Sequence, residues 1–594
     1  MDNSTGTVIG TPRSGGRQAA IRLVIAYDHD EFRVIAQRRM RHVFPPSEPP
    51  EVSDDSSGFR IELRASDGKA LFVRFLSDPR RPHREVPPES EDGGFQRATV
   101  SSSRGTFAVL VPEIEEAQDA VLVQRSAAPG TLMLHSDELA RFDLRDVRPS
   151  TLAPAQVRPA SACNRIRRTE KIVNKGPDAH RWNLVVLAEG YRGEELDSFA
   201  KRAGELAEWL LASPPFEEFQ DAINIHRVDV ESCESGADHP GGCEDGVEVD
   251  TYFDATFCRH ENWPDRLLVV NTAKVIDVLE REVPHWDVGM VIVNSTKRGG
   301  SGADMVPVIS AGSPFGVALH EIGHSAFGLA DEYDYHFGPD DPQDFEPPDY
   351  RRYDGPEPQE PNLTAATTRS QAKWTHRIPV GSSLPTSEKQ DCEQSDWGSS
   401  SPTPPGVVGL FEGAGYHRCG LFRPEFNCRM RQSNVEFCVV CRERIQSILT
   451  PYIEPVAVPD VVGMRERAAL EALDAGKLTG RIGRRRLSDR PKGEVILQLP
   501  QAGRFVFKGT PVSIDVSLGE REPDEPQRIP NVVGMRDTDA TAALRAEGFG
   551  TSLAFADSNK PFGEVIGQQP SGGTPAKPGT NVHLVASRGG DIRL

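Results

Sequence analysis

The sequence predicts a multidomain protein: an N-terminal β-sandwich-like domain, a central α/β (α+β) domain and two small α+β modules in tandem. Three observations carry this. The chain has 594 residues, more than one hydrophobic core supports. The spacing of apolar residues changes near 165, from short alternating runs to strands interleaved with helical stretches. From about 456 onward the chain repeats itself with a period of about 70 residues.

The first domain, 18-155, contains "IRLVIAY", "FRIELRA", "ALFVRFL", "TFAVLVP" and "AVLVQRS", separated by Pro-, Gly- and Ser-rich segments. β-branched and aromatic residues in alternation read as strands, and no long helical period intervenes. The second domain, 165-453, opens with "WNLVVLAEGY", a buried strand ending in a turn. "GEELDSFAKRAGELAEWLLAS" carries apolar residues at helical spacing, "INIHRVDV" is a strand, "DRLLVVNTAKVIDVLEREV" a strand then a helix, and "DVGMVIVNS" another strand. Strands alternating with helices imply an α/β or α+β layer. Long Pro- and acid-rich stretches between 338 and 406 read as surface loops, and "RERIQSILTPYI" as the closing helix.

In the C-terminal repeats, at 456-519 and 528-589, "VPDVVGMRERAALEALDAG" matches "IPNVVGMRDTDATAALRAEG". "KGEVILQLPQAG" matches "FGEVIGQQPSGG", and "KGTPVSIDVSLG" matches "PGTNVHLVASRG". Each copy reads as a turn, one helix and then strands, with the acidic linker "EREPDEPQ" between them. The copies resemble PASTA domains, and that resemblance implies a cell-wall polymer as partner or a spacer role.

Composition narrows the function. Hydrophobic residues make up 37%, charged residues 26%, and the net charge is -20. A surface this acidic argues against nucleic acid, whose phosphates need basic partners. No apolar run is long enough for a transmembrane helix. The N-terminus lacks the order of features of an export signal, so cytoplasmic localisation is the expectation from that segment; the PASTA-like repeats point instead to the cell surface or secretion.

The chemistry sits in "HEIGHSAFGLADEY", 320–333. Ser313 and Pro314 suit the N-cap and first position of a helix running to about Phe327, and Gly328 suits its left-handed stop. His320 and His324, four apart, share one helix face and can grip one Zn²⁺ at about 2.1 Å. Glu321 is the candidate general base toward water acidified by the metal. Past the turn, Asp331 can complete a His-His-Asp set. Glu332 is the rival ligand, or else orients a histidine ring.

This pattern is metzincin-like but departs from H-E-x-x-H-x-x-G-x-x-H: the glycine comes one position late, and Asp331, also one late, replaces the last histidine. Met430 in "FNCRMRQ" is the candidate for the methionine turn under the metal. Over roughly 165 to 452 the chain resembles the bacterial IgA peptidase-like zinc metallopeptidases. The carrying stretches are "LVVLAEGYRGEELDSF", "ESGAD", "NSTKRGGSG", "HEIGHSAFGLADEY", "FEGAGYHRCGLFRPEFNCRM" and "FCVVC". The resemblance implies a metzincin-like catalytic domain, a single zinc and endopeptidase activity on a protein or peptide substrate.

Several residues remain with two readings each. Tyr416, and more weakly Tyr333, is an oxyanion stabiliser or a buried aromatic. "MVIVN" with Gly299, Gly300 and Gly302 is a sheet edge for an extended peptide or a buried strand with a loop. Cys419, Cys428, Cys438 and Cys441 hold a second, structural zinc, form disulfides, or are buried thiols. Two further functions compete with the endopeptidase: a non-catalytic polymer-binding protein acting through the repeats, and a zinc amidohydrolase on a non-protein amide.

Overall fold

The structure is a computed structural model that describes residues 18–43, 58–80, 85–86, 95–97, 103–127, 134–145, 163–240, 246–257, 266–302, 305–335, 351–453, 456–506, 510–520 and 526–589. Most of the inter-repeat linker, 521–525, the N-terminal segment before 18, Cys243 and Cys258 lie outside them. The chain divides into two compact units that part between 454 and 455.

In the first unit, the five apolar runs of the N-terminal region all lie in strands. Gln18–Asp28 pairs antiparallel with Glu31–His42 on one side and Arg104–Pro112 on the other. Gly58–Ala65 pairs with Ala70–Leu76 and Ala117–Ala127, and the last of these with Leu134–Asp143. Ile21, Leu23, Phe59, Ile61, Leu63, Phe107 and Leu122 of both sheets share one buried core. Other residues of the same strands, among them Val24, Ala36 and Ala108, face the opposite way and join the core of the central region. Buried Arg22 crosses to that region, donating to Glu280 at 3.0 Å and to the Pro284 carbonyl at 2.9 Å.

The central region is built on a six-stranded sheet. Its order is Arg165–Val173, Ile223–Glu231, Trp182–Glu189, Val288–Val293, Val308–Ser310, Gly300–Ser301. The inner four strands run parallel and the two outermost are antiparallel to their neighbours. Every residue of Trp182–Glu189 and of Val288–Val293 is buried. Sheets covered on both faces need such continuous apolar runs. Helix Leu196–Ala212 buries Phe199, Ala203, Leu206, Ala207 and Leu210, the spacing of a single helical face. At about 1.5–3 kcal/mol per fully buried large apolar side chain, this face anchors the helix.

In the second unit each repeat holds one helix, Glu466–Ala475 or Asp537–Ala546. In each, three strands follow in one arrangement: Thr479–Arg486, Pro511–Ser517 and Val495–Leu499 in the first, Gly550–Ala556, Asn581–Ser587 and Val565–Gln569 in the second. In both, the first pair is parallel and the second antiparallel. Each repeat has its own apolar core. Gln498 and Gln568 do the same work in the two copies: each side-chain amide accepts from Val461 or Val532 and donates to Pro459 or Pro530.

Candidate metal centre

The motif helix spans Phe315–Phe327. It starts one residue later than expected. Pro314, extended at ψ 150°, is the N-cap, and the Ser313 hydroxyl donates to the Gly299 carbonyl at 2.9 Å instead of capping. The helix does end at Gly328, at φ 64° and ψ 34°, whose N–H closes onto the His324 and Gly323 carbonyls. That left-handed turn brings the chain back so that Asp331 meets the two histidines.

Asp331 Oδ1 lies 3.2 Å from Nε2 of both His320 and His324, and the two Nε2 atoms are 3.1 Å apart. Nδ1 of His320 faces the Arg429 carbonyl at 2.8 Å and Nδ1 of His324 the Leu329 carbonyl at 2.7 Å. A carbonyl only accepts, so each Nδ1 carries the proton and each Nε2 presents a lone pair. Two lone pairs and a carboxylate oxygen therefore converge on one point. Donors about 2.0–2.1 Å from a tetrahedral ion would sit about 3.3–3.4 Å apart, so the residues fit a divalent zinc. Glu321, next to His320, is fully buried.

Of the two rival carboxylates, Asp331 faces the histidines. Glu332 turns away and orients neither ring, whose Nδ1 atoms go to backbone carbonyls. Its Oε1 accepts from Asn362 at 2.9 Å and lies 3.3 Å from Cys441 Sγ. Burial holds the Glu332 carboxyl well above its ordinary range, with the Cys428 charge adding to the effect. Asn362 braces the turn itself, accepting from the Ala330 N–H at 2.9 Å and donating to the Ala330 carbonyl at 2.8 Å.

Met430 is fully buried beneath the helix: a Cβ built at Gly323, between the two histidines, would lie 2.7 Å from its sulfur. The Met430 carbonyl accepts from the Glu332 N–H at 2.7 Å. Tyr416 sits in the turn joining Phe411–Ala414 to His417–Arg423, at φ 68°, a left-handed conformation that bulky residues seldom take. Its hydroxyl donates to Asp331 Oδ2. Tyr333 is buried and stacked on Tyr335 at 4.7 Å. A cavity of about 950 Å³ reaches the site and is lined by His324, Asp331, Tyr416, Lys373 and Trp374 with Phe72 and Arg74 of the N-terminal sheets.

Two open readings narrow. Val288–Val293 lies inside the sheet, so it is no edge; the outermost strand is Gly300–Ser301, which is buried, and Leu267 bridges to Gly300. Cys419 is disulfide-bonded to Cys392 and so leaves the four-cysteine set, while Cys428, Cys438 and Cys441 are reduced and buried. A second disulfide joins Cys163 and Cys233. Asn362 and Phe95 join the site without any signal in the sequence. Phe95 reaches it from the N-terminal region, its ring 4.0 Å from that of His320, and neither residue lies in a periodic or motif-bearing stretch.

The IgA Peptidase M64 family model matches residues 171–400 and 398–449, and the PASTA domain model matches 456–518 and 527–588. The chain is similar to a probable serine/threonine-protein kinase of Clostridium acetobutylicum, 32% identical over 143 residues, 24% of this chain and 21% of that protein. It is also similar to the probable serine/threonine-protein kinase PknB of Corynebacterium glutamicum, 36% identical over 23% of this chain and 21% of that protein. The chain thus spans about a fifth of the length of these curated relatives. The crystal structure of the three-PASTA-domain region of a Ser/Thr kinase from Staphylococcus aureus matches 23% of this chain and 67% of that one, at 26% identity and a TM-score of 0.16. The family matches follow the two parts of the fold, and the chain carries an IgA peptidase M64 domain followed by two PASTA domains.

Proposed function

We propose that the chain is a zinc-dependent endopeptidase in which His320, His324 and Asp331 hold the ion and Glu321 is the general base. The observation that carries this is the meeting of two Nε2 lone pairs and Asp331 Oδ1 within 3.2 Å of one another. When bound, zinc supplies Lewis acidity to a water and to the scissile carbonyl. Glu321 takes the proton from the attacking water and hands it to the leaving amine nitrogen. The Arg429 and Leu329 carbonyls keep both histidines in the right tautomer, and the Tyr416 hydroxyl holds Asp331 from its outer oxygen. Met430 forms the floor. We read the region as metzincin-like, and the paired N-terminal sheets as a β-sandwich that walls the substrate cavity.

The PASTA modules would bring this activity to a cell-wall polymer. Among the described residues, two disulfides support maturation in an oxidising compartment, because reducing cytosols keep thiols free. The deciding comparison is wild type against Glu321→Ala on casein and on labelled peptides, with polymer binding measured for both. Equal turnover by the two proteins would end the peptidase reading; unchanged polymer binding would then leave the repeats as the functional part, and cleavage of non-protein amides alone would favour the amidohydrolase.

A further inference from the structure

We propose that Cys428, Cys438, Cys441 and Glu332 bind a second, structural zinc ion that locks the segments around the candidate metal centre. The inference is independent of the peptidase reading. One donor atom from each of the four residues lies within 4.8 Å of the others, and all four residues are buried. Cys428 Sγ is 3.7 Å from Cys441 Sγ, and Glu332 Oε1 is 3.3 Å from Cys441 Sγ and 3.8 Å from Cys438 Sγ. Around a tetrahedral zinc, with bonds of about 2.3 Å to sulfur and about 2.0 Å to oxygen, neighbouring sulfurs sit about 3.8 Å apart and sulfur and oxygen about 3.5 Å apart.

The backbone is built for thiolates. Cys438 is the N-cap of helix Val439–Leu449 and accepts from the Cys441 N–H at 3.5 Å, while Cys428 Sγ accepts from the Cys438 N–H at 3.2 Å. Amide donors at a helix N-terminus favour negative sulfur. Three inert apolar thiols would explain the burial but not the carboxylate among them. Glu332 Oε2 is buried without a hydrogen-bond partner among the described residues, an arrangement a cation relieves. A C-x-x-C pair, one distant cysteine and a carboxylate make a closed four-donor set with no position left for water, as structural zinc sites have.

The placement suggests what the ion does. Glu332 follows Asp331 directly, and its N–H is bonded to the Met430 carbonyl. Cys428 precedes Arg429, whose carbonyl holds His320. One ion would tie together the turn carrying Asp331, the methionine beneath the helix and the residue that orients His320. Binding requires all three sulfurs as thiolates and releases to solvent the protons that the remaining thiols carry.

The test uses the full chain. We expect about two zinc ions per chain. After cobalt(II) exchange, we expect a near-ultraviolet thiolate-to-cobalt charge-transfer band that persists in His320→Ala, a variant that removes a ligand of the other site only. Titration with an organomercurial should release one zinc equivalent from wild type as its thiols react. Cys441→Ser should lose the band, and if that variant fails to fold, the wild-type cobalt spectrum and mercurial titration still decide. A cobalt form without the band, or mapping that finds a disulfide among these three cysteines, would overturn the assignment. Loss of one zinc in His320→Ala with the band retained separates this site from the peptidase site, so either reading can fail alone.

Discussion

The ring of Phe95 lies flat against the imidazole of His320, with centroids 4.0 Å apart and planes 16° from parallel. The same ring is nearly parallel to Tyr333, at 6.3 Å. A residue outside the matched family segment thus forms one wall of the candidate metal centre, and it is fully buried there. Phe95→Ala removes that wall. We expect a stability loss of about 3–5 kcal/mol and faster loss of zinc to a chelator. Urea unfolding and stopped-flow metal release measure the two effects; an unchanged release rate would mean the stack does not shield the ion.

Glu321→Gln keeps the size of the side chain and removes its basicity. Peptide turnover should fall by about 10²–10⁴-fold, while zinc content stays at the wild-type level. Paired kcat/KM and metal analysis check this, and a variant that loses its zinc would make Glu321 a structural rather than a catalytic group.

Tyr416→Phe deletes the hydroxyl bonded to Asp331 Oδ2. Such outer partners contribute about 10–100-fold in metal affinity or activity. Asp331→Ala, which removes the candidate ligand itself, should be worse on both counts. Competition with a chromophoric chelator ranks the variants, and equal affinities for all three proteins would exclude Asp331 from the site.

Glu189, at the end of strand Trp182–Glu189, provides a pH signature. Burial lifts its carboxyl from 4.5 to about 7, although Thr251 and the Phe253 and Ala255 N–H groups bond to it. Between those values the folded chain keeps a proton that the unfolded chain has lost. Stability contributed by this group is therefore complete below about pH 4.5 and falls as pH rises toward about 7, by about 3 kcal/mol in all. Glu189→Gln should flatten that part of the profile in chemical denaturation between pH 4.5 and 8; an unaltered slope would place the titration elsewhere.

Much of this architecture is legible in the amino-acid sequence. Trp182–Glu189 and Val288–Val293 announce themselves as unbroken apolar runs, because both faces of the sheet are covered. Strands Glu31–His42 and Leu134–Asp143 escape such inspection, since their exposed faces carry so many charges that alternation is masked. In the metal motif, the i, i+4 histidines and the stop at Gly328 follow from local backbone chemistry alone. The helix start does not, because Ser313 has a tertiary partner in Gly299. The partition of cysteines is closed to inspection: Cys419 pairs with Cys392 at a sequence separation of 27, across a Pro- and Ser-rich loop and strand Phe411–Ala414, and connectivity of that kind leaves no trace in spacing. Phe95 and Asn362 arrive by long-range folding, and no local pattern marks them.

The close approach of Gly323 to Met430 has a mechanical corollary. With 2.7 Å between a virtual Cβ and the sulfur, alanine at 323 would require the Met430 side chain, buried beneath the helix, to shift. His320 and His324 belong to that same helix, so whatever part of the strain Met430 failed to absorb would reach both imidazoles. Such a protein would retain every donor, and a weaker grip on metal in it would report the seating of the helix on its methionine floor.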